Sequence, residues 1–213
     1  MPDSQKHTAG YLTIASSVDA EITVQRSRFI ASLRRADCRD DFDAAMKDII
    51  AAYPKATHYC WAYRFHAHTV LEHASDAGEP AGTAGRPILG SLKKFSLLNI
   101  MAVVTRYYGG IKLGVKGLIA AYGETTIYAI EKASIIMDEP RLILYFKCKY
   151  DIYNILLSRL ERILPDMSSL DAEFSDVVTG RLPVPISAMS TLKAELDAIS
   201  AGGSALNYEI REK

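Results

Sequence analysis

Two stretches of this 213-residue chain hold residue types that could do chemistry. The first is Ser75-Asp76-Ala77-Gly78-Glu79-Pro80-Ala81-Gly82-Thr83-Ala84-Gly85-Arg86-Pro87. Asp76 and Glu79 could serve as an acid–base pair or hold a cation, with Thr83 and Arg86 lining the same site. The glycines and prolines between them also demand an unusual backbone. Asp76, Gly78, Glu79, Gly82 and Thr83 therefore equally fit an ordered loop whose polar groups satisfy its own amides.

The second stretch is Arg106-Tyr107-Tyr108-Gly109-Gly110-Ile111-Lys112-Leu113-Gly114-Val115-Lys116-Gly117. It reads as a strand passing through a glycine turn at Gly109, Gly110 and Gly114 into a helix. Such turns present backbone N–H groups that suit phosphate or carboxylate. Arg106, Lys112 and Lys116 add formal charge, and Tyr107 and Tyr108 could stack bases. Strand alternation turns one of those two tyrosines toward the core. No Gly-Lys-Ser/Thr follows, so the turn is not a Walker A loop. The plain alternative is a tight turn with solvated lysines.

Charge distribution favours anion binding. The chain has 25 basic and 25 acidic residues, so any pull on polyanions must be local. From Pro80 to Gly123 there is no Asp or Glu, while Arg86, Lys93, Lys94, Arg106, Lys112 and Lys116 all fall there. Phosphate contacts dominate nucleic-acid affinity, so this segment predicts weak, salt-sensitive RNA binding.

Other chemistry is thinner. His58, His66, His68 and His73 cluster in sequence, and His66, His68 and His73 could ligate a metal with Asp76 or Glu79. Yet His58 and His66 sit at opposite ends of one predicted strand, about 26 Å apart, and no H-E-x-x-H occurs. Neither a metal site nor a cofactor is expected. Cys60 shares a strand face with His58, which permits a Cys–His pair, but a buried core cysteine is the stronger expectation. No G-x-S-x-G elbow is present, and no catalytic residue is assigned.

The elements that must position these residues follow from periodicity. Strands are predicted over 11–16, 20–35 and 58–66. An acidic start at Asp37–Asp43 opens a helix through Phe42, Met46, Ile49, Ile50 and Tyr53, closed by Pro54. A polar loop over 68–87 and a short helix over 88–98 precede the apolar run 100–107, a strand buried on both faces. A helix from about 115 to 133 carries Val115, Leu118, Ile119, Tyr122, Ala129 and Ile130 as its buried stripe. A domain boundary is expected near Met137–Pro140, giving domains 1–138 and 139–213. The second half reads strand 141–149, helix 151–164 with Asp151 as N-cap, strands 170–176 and 178–187, helix 189–200 ending at Gly202-Gly203, and strand 205–211. That βαββαβ order is ferredoxin-like. Pro183 and Pro185 are awkward in its third strand, because proline removes ladder donors.

Cys38, Cys60 and Cys148 are odd in number and widely spaced, which excludes a disulfide framework and a zinc ribbon and fits a reducing cytoplasm. The N-terminal residues lack a signal-peptide core. Lys93-Lys94 interrupts the most apolar stretch, so no membrane span is expected.

The blocks SDAGEPAGTAGRPIL and VVTRYYGGIKLGVKGLIAAYG closely resemble the signature segments of the YigZ/IMPACT family. SRFIAS near residue 27 and ATHYCWAYRF near residue 56 resemble its earlier blocks, and the likeness covers about residues 18–135. The resemblance implies an α+β protein. Its N-terminal domain would be similar to a domain of a small-subunit ribosomal protein and to domain IV of elongation factor G. A ferredoxin-like C-terminal domain, similar to other domains of that factor, would follow. Eukaryotic members regulate translation through an added N-terminal interaction domain.

The family pattern commonly has a second aspartate where this chain has Ala77. It has threonine-glycine at Val115-Lys116 and arginine at Ala120. Losing those groups weakens a two-carboxylate site and a phosphate-binding helix respectively. The expected role is a translation-associated protein contacting RNA, the ribosome or a translation factor. Alternatives are a hydrolase using Asp76 and Glu79 on a phosphorylated or peptide-like substrate, or a protein–protein adaptor, with homo-oligomerisation open.

Overall fold

The computed structural model describes residues 10–66, 69–164, 166–201 and 206–211. His68, Gly202 and Gly203, named above, lie outside the described residues, as do residues 1–9. The chain is α+β and divides into two compact units, residues 11–138 and residues 139 onward.

The first unit is built on a five-stranded antiparallel sheet. Its strands are β2 (Val18–Val24), β3 (Ser27–Arg35), β4 (His58–His66), β5 (Val70–Ser75) and β6 (Ile100–Tyr107), in the order β2-β3-β6-β4-β5. β6 is central, and its alternating side chains enter two cores. Ile100, Ala102 and Val104 pack with helices α2 (Gly85–Lys94) and α3 (Gly114–Lys132). Met101 and Val103 pack with Phe42 and Ile49 of α1 (Arg39–Ala52) on the other face. Residues 100–104 are apolar throughout because both faces of the strand are covered there. A separate two-stranded ladder joins β1 (Tyr11–Ile14) to β7 (Ile135–Asp138).

Several expected elements change. The single strand predicted over 20–35 is a hairpin whose two-residue turn, Gln25-Arg26, holds both residues at positive φ, 44° and 66°. Turns of this kind favour Asn-Gly, so Gln-Arg gave no signal. The predicted loop 68–87 contains edge strand β5, and α2 begins at Gly85 rather than 88. β1 ends at Ile14 rather than residue 16. In α3 the buried side chains are Leu118, Ala121, Tyr122, Thr125, Thr126, Ala129 and Ile130, whereas Val115 and Ile119 are exposed.

The second unit contains β8 (Arg141–Cys148), α4 (Tyr150–Ile163), β9 (Asp171–Phe174), β10 (Val178–Pro185), α5 (Met189–Ala201) and β11 (Asn207–Arg211). Strand order is β11-β8-β10-β9, antiparallel throughout, as a ferredoxin-like sandwich requires. α4 and α5 cover one sheet face through Leu156, Leu160, Leu192 and Leu196. The α4 N-cap is Lys149; Asp151 sits in the first turn, where its carboxylate accepts from Ile152 N.

The prolines of β10 find a physical place. β9 pairs with β10 only through Arg181, so Pro183 and Pro185 lie beyond its end. Ile186 N donates to Pro140 O, on the β8 side. By strand alternation, residues 183 and 185 would aim their amides the other way, where no strand needs a donor. A short 3-10 turn, Ile186–Ala188, replaces the last two residues of the predicted strand.

Left-handed backbone at Gln25 and Arg26 is costly for side chains with a Cβ. The double change Gln25→Asn with Arg26→Gly should raise the unfolding free energy by about 1 kcal/mol. Urea denaturation should show a higher midpoint at unchanged m-value; an unmoved or lower midpoint would mean the turn carries no strain.

Candidate nucleic-acid interface and the buried network beneath it

Loop 76–84 is a built structure. Ala77 and Gly78 both take positive φ, 44° and 92°, and Glu79 N donates to Asp76 O, closing a tight turn. The Asp76 carboxylate accepts from the amides of Gly82 (2.7 Å), Ala84 (2.9 Å) and Gly85 (2.8 Å). It thereby satisfies the start of α2, which anionic charge at a helix N-terminus favours. Partial burial works to raise the Asp76 pKa. The three amides, with Arg86 nearby, outweigh it and hold the carboxyl below its ordinary value. Thr83 Oγ1 donates to Pro80 O. These residues support the loop. Ala77, where the resemblance implies a second aspartate, is a left-handed turn position in which aspartate is better tolerated than alanine. The aspartate's replacement bears on turn geometry rather than on a second ligand.

Glu79 turns inward. Its Oε1 accepts from Arg106 Nη1 at 2.5 Å and from the Tyr122 hydroxyl at 2.9 Å. His58 Nε2 lies 4.0 Å away, and His58 Nδ1 donates to Ala77 O. The Cys60 thiol is 2.9 Å from the Asp76 carbonyl and 3.3 Å from the Tyr122 hydroxyl oxygen, either of which can accept its single proton. Burial pushes the Cys60 pKa up to about 12, against a small lowering by its Tyr122 contact. Burial also raises Tyr122, reinforced by Cys60 and Glu79. Cys60 is thus a buried core thiol, and the Cys–His pair is not formed.

Arg106 is the main correction to the expected interface. It is only 5% exposed, ion-paired to Glu79, with its guanidinium over the rings of Phe29 and Tyr108. It cannot meet a phosphate in this arrangement. Strand parity carried the missed signal: Arg106 follows Ile100, Ala102 and Val104 on the face covered by α2 and α3.

The glycine turn itself is present. Tyr107 is half-buried with its hydroxyl donating to Pro54 O, and Tyr108 is exposed. A Cβ on Gly109 would lie 2.1 Å from the Arg26 carbonyl, so only glycine fits beside the β2–β3 turn. Gly110 and Gly114 take positive φ. Lys112 and Lys116 are exposed with no ion pair among the described residues, and Arg86 is exposed at the first turn of α2. No side chain caps α3, and its first turn has no acid. Of the other segment cations, Lys93 pairs with Glu72 and Lys94 lies over Phe95. The structure therefore leaves Arg86, Lys112 and Lys116 on the surface, and Arg106 beneath it.

The histidines make ring contacts: His66 stacks on Tyr11, and His73 meets Trp61 edge-on. No group of three or more metal-ligating side chains occurs among the described residues. No described helix is long and apolar enough to cross a membrane.

Residues 25–130 match the model of the Impact N-terminal domain. The chain is 37% identical over 140 residues to an IMPACT family member, YvyE, of Bacillus subtilis, covering 66% of this chain and 64% of that protein. It is 32% identical over 196 residues to the IMPACT family member YigZ of Escherichia coli, covering 90% and 94%. A crystal structure described only as that of a hypothetical protein superposes with a TM-score of 0.69 at 29% identity, covering 96% and 98% of the two chains.

Two outcomes follow from the buried network. Glu79→Gln leaves the Arg106 charge buried and unpaired, and should cost about 3–5 kcal/mol of stability in urea. Adding Arg106→Met should restore much of it; a Glu79→Gln loss below about 1 kcal/mol would show that the pair is solvated. The second concerns alkali. Below the ordinary thiol value of 9.0, folded and unfolded chains both keep the Cys60 proton. Above it the unfolded chain releases that proton first, and above about 10 it releases that of Tyr122 as well, while the fold retains both. Stability should therefore fall as pH rises from about 9 to about 12, by up to ~1.4 kcal/mol per pH unit per group. Cys60→Ala should flatten that fall in thermal melts at stepped pH.

Proposed function

The chain belongs to the YigZ/IMPACT family, and from that premise we propose that it is a translation-associated binding protein that contacts ribosomal RNA through the glycine turn 109–114 and the side chains of Lys112 and Lys116, with exposed Arg86 as a further cation. The observation that carries the reading is the pair Lys112 and Lys116. Both are exposed and without ion pairs among the described residues, at the uncapped, acid-free start of α3. Cations at a helix N-terminus repel its dipole. A bound phosphate would meet the free amides and both ammonium groups together. Exposed Tyr108 supplies a face on which a base can stack. The likeness to translation-factor and ribosomal-protein domains that the family resemblance implies is the expectation that sets this reading in translation.

Hydrolysis by Asp76 and Glu79 loses its support. Asp76 spends its carboxylate on three amides, and Glu79 is committed to Arg106 and Tyr122.

Ribosome co-sedimentation across a salt series tests the proposal. Binding should weaken steeply with salt, and Lys112→Glu should weaken it at every salt and make the logarithmic slope shallower by about one. Absence of pelleting at low salt, or an unchanged slope in Lys112→Glu, would remove the proposal.

A further inference from the structure

α3 presents one side to α2, and that contact stops partway along the helix. From Gly123 onward the side is covered: a Cβ on Gly123 would lie 3.9 Å from Pro87, and Ser91 Oγ donates to Gly123 O. Thr126 and Ile130, which continue along the same side, are buried. Toward the start of α3 the side is bare. α2 begins at Gly85, and Ile119 and Val115, one and two turns before Gly123, are exposed. They are 42% and 59% exposed. Ile111, in the turn leading into the helix, and Tyr108 are exposed as well.

Exposed β-branched residues at i and i+4 form a ridge suited to the groove of another helix. Here the ridge continues an intramolecular helix–helix contact that α2 is too short to finish. Its surroundings are cationic: Lys112 and Lys116 are exposed beside it, and Arg86 stands exposed at the start of α2. No acid occurs between Pro80 and Gly123. The next acid along α3, Glu124, is exposed more than a turn past Ile119.

We infer that Val115 and Ile119 dock an acidic amphipathic helix of a protein partner, seated where α2 would run if it extended further toward its N-terminus. Leucine-type anchors on that helix bury the two side chains, and its flanking carboxylates meet Lys112, Lys116 and Arg86. Two aliphatic side chains offer a phosphate backbone neither charge nor a hydrogen bond, whereas they suit the apolar face of a helix, so a protein segment is the occupant. The contact uses apolar side chains that the RNA proposal does not, so the two can fail separately.

The probe is a designed peptide of about 16 residues, four helical turns. It has leucine at i, i+4 and i+8 and glutamate on the flanking positions. A scrambled peptide of the same composition serves as control. In fluorescence anisotropy with the full chain, the designed peptide should bind and the scrambled one should not. Val115→Gln with Ile119→Gln keeps good helix formers at exposed sites. It should weaken the designed peptide by at least about tenfold, while thermal melting and ribosome pelleting stay unchanged. Ile119→Glu should abolish peptide binding by charge repulsion. The inference is overturned if both peptides bind alike, or if the double variant binds the designed peptide as the parent does. It is also overturned if the double variant loses ribosome pelleting, which assigns the ridge to RNA. Loss of a concentration-dependent dimer in the double variant, by sedimentation equilibrium, would overturn it in favour of a second copy of the chain.

Discussion

A single carboxylate oxygen, Glu79 Oε1, ties together three segments that are distant in sequence. It accepts from Arg106 at the end of the central strand and from Tyr122 in the middle of α3, while its own backbone closes the turn before α2. Desolvating two charges costs several kcal/mol per ion, so such a pair is a poor source of net stability. Its effect is on position. Any arrangement that separates Arg106 from Glu79 leaves a bare charge in the interior, so loop 76–84, the end of β6 and α3 must meet in one way. The rings of Phe29 and Tyr108 on the guanidinium complete its surroundings. Where Lys112, Lys116, Val115 and Ile119 come to the surface is set by that junction.

Periodicity made the parts that bury apolar surface legible, because burial is what produces it. The double-faced strand β6, the amphipathic α1 and the βαββαβ half all followed from hydrophobic spacing. Elements stabilised in other ways did not. β5 is an edge strand bonded only to β4, with Val70 and Leu71 exposed, so it shows no inward alternation. Gln25-Arg26 is forced into left-handed backbone by the pairing of β2 with β3 and by the close approach of Gly109. No local propensity announces it.

The site was half legible for a related reason. A count of charges along the chain cannot see partners from elsewhere in the sequence. Arg106 and Lys93 look like contributors to a basic stretch until Glu79 and Glu72 are brought against them. Asp76 likewise looked like chemistry, because a carboxylate at a loop end is indistinguishable in sequence from one spent on backbone amides six to nine residues on. What survives is smaller than the stretch suggested: the exposed cations at the two helix starts.

The two helices of that surface treat their dipoles in opposite ways. α2 has a carboxylate on its first amides and Lys93 and Lys94 in its last turn, the arrangement that stabilises an isolated helix. α3 has lysines around its start, no acid in its first turn and no capping side chain. Each misplaced charge of this kind costs about 0.3–1 kcal/mol at low ionic strength. The same chain therefore completes one helix end with its own carboxylate and leaves the other without a side-chain cap or an acid, with Lys112 and Lys116 exposed around it. On the proposals made above, an external anion would remove that deficit, whether as a phosphate on RNA or as the carboxylates flanking a docked helix. The apolar ridge one turn further on separates those two partners, because only the docked helix gains by covering Val115 and Ile119.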